Sequence, residues 1–150
     1  MDAPLPTRLF SLREANALLD MLRGEFTRAR DLRDQLVSVQ QKLAEAGHAI
    51  EGPEVQVDDA APPPVRRLQA RAVGIIAKLR DLLHEISELG VEIKAADGLV
   101  DFRSKLHGRT VYLCWKYGEE RIGHWHELAR GFDGRQPLPA DGDFVGDLLH

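Results

Sequence analysis

The chain has 150 residues, 43% hydrophobic and 29% charged, with 20 Lys/Arg against 24 Asp/Glu and a formal net charge of −4. These proportions fit one globular domain that buries about two-thirds of its unfolded surface, not a disordered chain. The mild negative charge gives no general pull toward nucleic acid or an anionic membrane.

A single cysteine excludes an internal disulfide and a four-cysteine zinc site, and a reducing, cytoplasmic setting is the simplest reading. No run approaches the roughly 20 apolar residues of a membrane span. The N-terminus also lacks the basic-then-apolar pattern of a signal peptide.

Taken in order, residues 1–9 read as a flexible leader. Ser11-Leu-Arg-Glu14 is a capping box, in which the Ser11 hydroxyl accepts from the Glu14 amide and the Glu14 carboxylate reaches back. From there Ala15, Leu22, Ala29, Leu36 and Leu43 recur at one heptad position and Leu18, Leu32, Val39 and Ala46 at the other. The spacing predicts one helix over 12–46, roughly 50 Å long, ending at Gly47. Residues 47–64, with Gly52, Pro53 and Pro62-Pro63-Pro64, form a connector, partly disordered. A second helix starts just after the prolines: Val65, Leu68, Ala72, Ile75, Leu79, Leu82, Ile86 and Leu89 alternate by three and four until Gly90. An antiparallel two-helix coiled-coil hairpin over about 11–90 follows. Arginines on both helices interleave with acids and read as solvated faces. The longer first helix carries surplus apolar stripe, which must meet the C-terminal segment or a second copy in a homodimer.

After Gly90 the period changes. Val91–Lys94, Leu99–Leu106 and Arg109–Lys116 alternate as strands, with turns at Asp97-Gly98 and His107-Gly108, and Arg121–Glu127 follows the turn at Tyr117-Gly118. This is a small antiparallel β-meander over about 91–128. Residues 129–150 read as loop and loosely held tail. The expected architecture is therefore α+β, a helical hairpin and a meander in a single domain.

Several segments resemble a bacterial and archaeal family known as domain of unknown function 2203. They are Phe10–Asn16, Gly98-Leu-Val-Asp-Phe102, Val111-Tyr-Leu-Cys-Trp115, Gly118-Glu119, Trp125-His-Glu127 and Gly131-Phe-Asp-Gly-Arg135 followed by Pro137. The resemblance implies that the C-terminal segment is the family's signature; it implies no particular activity. His124 and His107 lie outside those motifs.

The same segment holds the residues able to carry chemistry. His124 and His126, two apart on a strand, project from one face. Asp101, Glu119 and Glu127 supply carboxylates, and two histidines with one carboxylate can bind zinc or iron(II). His126 with Glu119 or Asp101 is the version that fits the family motifs. Asp101 could also orient His126 for acid–base work, if the register brings them together. Cys114 shares a face with Tyr112 and reads as a buried, inert thiol. Arg135, following Gly131 and Gly134, could bind an anion, and pairing with Asp101 or Glu119 to pin its loop is the favoured reading. Tyr112, Trp115, Tyr117 and Trp125 could stack bases, although aromatics on a small sheet more often form its core.

Two functions compete at this level. One is a non-enzymatic, oligomeric interaction or assembly module with a possible protein partner. The other is a metal-binding or metal-dependent enzyme centred on His126 with Asp101 and Glu119.

Overall fold

A computed structural model describes residues 8–147. The elements in order are α1 (Leu12–Ala17), α2 (Leu19–Glu45), α3 (Pro63–Ser87), β1 (Glu92–Ala95), β2 (Leu99–Leu106), β3 (Arg109–Lys116), β4 (His124–Glu127), a 3₁₀ turn (Phe132–Gly134), β5 (Gln136–Pro137) and β6 (Phe144–Val145). The class is α+β, with helices and an antiparallel sheet. No helix among the described residues is long and apolar enough to cross a membrane.

The chain forms two compact units, one of residues up to Phe26 and from Leu83 onward, the other Thr27–Leu82. In the second, Ala29, Leu32, Val39 and Leu43 of α2 share one buried cluster with Val65, Ala72, Ile75 and Leu82 of α3, the two heptad stripes read from sequence. The connector is ordered against this cluster: Ala61 is buried in it, Ile50 and Val55 pack on it, and the Gln69 side chain accepts from the Asp58 amide at 2.9 Å. The second helix begins inside the proline run, because proline's missing N–H and fixed φ suit a helix's first turn.

In the other unit the capping box forms as expected, with Ser11 and Glu14 bonded reciprocally. The helix it opens is nevertheless not continuous. At Leu18 the amide turns to the Ala15 carbonyl, an i→i−3 bond of 3.1 Å, and this tightened turn separates α1 from α2. Three α-helices therefore replace the expected two.

The sheet is antiparallel in the order β1-β2-β3-β4-β5, with β6 on the same edge of β2 as β1. The four-stranded meander is present, and β5 and β6 extend it into residues expected to be loop and tail. Phe144 of β6 is buried in the core. Arg8 and Leu9, expected in a leader, are tied down by an Arg8–Glu14 ion pair and by bonds between Leu9 and Asp147. The rest of the expected leader, 1–7, and the end of the tail, 148–150, lie outside the described residues.

One sheet face, with Val100, Phe102, Leu113, Trp115 and Trp125, joins Phe10, Ala15, Leu19, Leu22, Phe26 and Ile86 in a single core. The surplus apolar stripe of the N-terminal helices thus meets the C-terminal segment.

Candidate metal centre on the polar face of the sheet

The other sheet face carries the chemistry. His107 (φ 52°) and Gly108 (φ 77°) make a two-residue turn with both central residues left-handed, the type that matches strand twist. Counting back from it fixes the register: Leu106 faces Arg109, Arg103 faces Tyr112 and Asp101 faces Cys114. On the far side of β3, Tyr112 faces His126 and Cys114 faces His124. Residues directly opposite in an antiparallel pair share a face, so Asp101, Cys114, His124 and His126 all project together, away from the Trp115 core.

Three of them converge. Asp101, Cys114 and His126 are 2%, 1% and 1% exposed, and their donor atoms lie within 4.8 Å of one another. His126 Nε2 is 3.0 Å from Asp101 Oδ1. His126 Nδ1 is 2.9 Å from the Glu127 carbonyl oxygen. A carbonyl only accepts, so Nδ1 carries a proton, and Nε2 is the ring atom turned toward the Asp101 carboxylate. Two electron-rich atoms at that distance need a proton or a cation between them.

The Cys114 thiol is pushed up to about 12, by burial first and then by the Asp101 charge, to which it also hydrogen-bonds. It is therefore a poor nucleophile. A bound metal ion is an electrophile strong enough to draw the proton off such a sulfur.

Charged groups flank the trio on both sides. Next to Tyr112, whose ring lies 5.2 Å from that of His126, Glu92 binds Arg103 Nε at 2.8 Å, the Tyr112 hydroxyl at 3.0 Å and Lys94 at 3.2 Å. Burial pushes the Glu92 carboxyl up, but bonds from Arg103, Tyr112 and Lys94 together outweigh it and hold the group below its ordinary value. On the Cys114 side, Arg135 Nη2 donates to both Glu119 oxygens, at 2.6 and 2.9 Å.

The sequence-derived candidates separate accordingly. His126 and Asp101 meet. Glu119 does not join them: its carboxylate caps the Lys116 amide at 2.7 Å and holds Arg135, while its carbonyl accepts from the Trp115 indole. Its place in the donor set is taken by Cys114, read from sequence as inert. The turn at His107-Gly108 was the signal for it, since a two-residue hairpin already pairs Cys114 with Asp101. His124 shares the face but lies outside the trio, with Nδ1 3.8 Å from Glu119 Oε2. Arg135 pairs with Glu119, the favoured reading, and stacks on Phe132 at 4.7 Å. Trp115 and Trp125 are core residues and present no face to a base.

No curated protein and no solved structure matches the chain. A family model does, over residues 8–138, and it spans all three segments that bring Asp101, Cys114 and His126 together. The chain belongs to the uncharacterised conserved proteins of family DUF2203.

Proposed function

We propose that this protein binds one zinc ion through Asp101 Oδ1, Cys114 Sγ and His126 Nε2. The observation that carries the reading is the orientation of His126. Its Nδ1–H is committed to a backbone carbonyl at 2.9 Å while Nε2 faces a buried carboxylate. Second-sphere carbonyls fix metal-bound histidines in this way. Donors around a tetrahedral zinc stand roughly 3.3–3.8 Å apart for bonds of 2.0–2.3 Å, so the trio needs only small adjustments to close on an ion. A sulfur, nitrogen and oxygen set suits zinc better than the two-histidine, one-carboxylate iron site. A thiolate ligand also suits a reducing compartment such as the cytoplasm.

Elemental analysis of untagged protein purified under reducing conditions tests this. About one zinc per chain is expected, with loss in both Cys114→Ala and His126→Ala. A wild-type protein that stays metal-free after dialysis against zinc contradicts it.

A second reading, self-association as a non-enzymatic assembly module, is favoured by Val37 on α2 and Val73 on α3, 58% and 39% exposed. Light scattering at micromolar concentration that finds only the 16.8 kDa chain rules it out.

A further inference from the structure

The zinc reading leaves the placement of His124 on this polar face unexplained. The residue stands directly across from Cys114 in the β3–β4 register, and opposed Cβ atoms are about 4.5–5.5 Å apart, within an imidazole's reach of the neighbouring thiol. Its Nδ1 is buried and makes no hydrogen bond. Glu119, the acid at 3.8 Å, is already bound by Arg135 and by the Lys116 amide. A buried ring nitrogen without a partner is disfavoured. The rest of the ring has room, because the side chain is 38% exposed, so rotation about its Cα–Cβ bond does not require the core to repack.

We infer, on the strength of the zinc reading above, that His124 is the fourth ligand and closes a tetrahedral site of one cysteine, two histidines and one aspartate. The consequence is functional. A site with three protein ligands and an open position can bind and activate water or substrate, whereas a site with four is closed. Burial of Asp101, Cys114 and His126 at 1–2% exposure agrees with a closed site, since a catalytic ion must be reached. With His124 bound, the ion ties β2, β3 and β4 together and acts as a structural element.

Cobalt(II) titrated into the metal-depleted full-length protein distinguishes the cases. Wild type is expected to give intense visible bands of a four-coordinate ion and one thiolate-to-cobalt band. His124→Ala should keep the thiolate band, lose several-fold in visible intensity as waters raise the coordination number above four, and bind cobalt roughly tenfold or more weakly. His124→Cys, which restores a donor, should recover the four-coordinate spectrum with a stronger thiolate band and so controls for folding. A His124→Ala spectrum and affinity identical to wild type overturn this inference and leave the three-ligand reading standing. Absence of any thiolate band in wild type overturns both.

Discussion

Cys114 is the residue on which the chemistry turns, and its surroundings make two measurable statements. Its burial should leave it unlabelled by iodoacetamide in folded, metal-depleted protein over times that fully label an unfolded control. Its raised thiol value also has a sign. The folded thiol keeps its proton up to about 12 while an unfolded one loses it near the ordinary 9.0, so the unfolded state is favoured progressively as pH rises across that interval. Denaturant midpoints of metal-depleted protein should fall from pH 9 upward, and Cys114→Ala should flatten the fall. An equal fall in both proteins would place the effect elsewhere. Glu92 has the opposite sign: held low by Arg103, Tyr112 and Lys94, it contributes stability above its ordinary value of 4.5 that is lost as pH falls through its lower folded value. Asp101 and His126 were legible as partners from residue type and alternation. Cys114 reads as inert, because its apolar neighbours Val111, Leu113 and Trp115 look like a buried strand, and its pairing with Asp101 follows only once the two-residue turn at His107-Gly108 sets the register.

Elements of this chain follow local rules where the rules are strong. The capping box at Ser11, the heptad stripe of α3 and the left-handed turn at His107-Gly108 all form as their residues dictate. The break at Leu18 was not legible, since Leu18 and Leu19 are both good helix formers and the divide lies in a single tightened amide bond. β5 and β6, two residues each, were hidden for another reason: strands that short carry no periodicity. Gly98 provides a sharp test at this scale. It sits at φ +117°, and a Cβ there would run into the Cβ of Tyr117, whose amide donates to the Gly98 carbonyl at 2.7 Å. Gly98→Ala should therefore cost about 2 kcal/mol or more in chemical denaturation, combining overpacking with a conformation alanine resists. Ser11→Ala should cost only about 1 kcal/mol, the usual loss for an N-cap. Equal effects would mean the Gly98 turn relaxes freely.

At the scale of the whole molecule, the apolar core and the polar trio lie on opposite faces of one sheet. β2 and β3 supply both, Phe102 and Trp115 to the core and Asp101 and Cys114 to the trio. An ion held there stabilises the fold by mass action, about 2.7 kcal/mol when free zinc is a hundred times its dissociation constant. Zinc should therefore raise the thermal midpoint of wild type and leave that of Cys114→Ala in place. Crystallography of the zinc-loaded protein, with data at the zinc absorption edge, decides whether an ion lies between Asp101, Cys114 and His126. One strong anomalous peak bonded to those three side chains is expected, with the direct His126–Asp101 contact replaced by two bonds to metal. Crystals grown with zinc that keep the 3.0 Å His126–Asp101 contact and show no peak there would contradict the zinc reading.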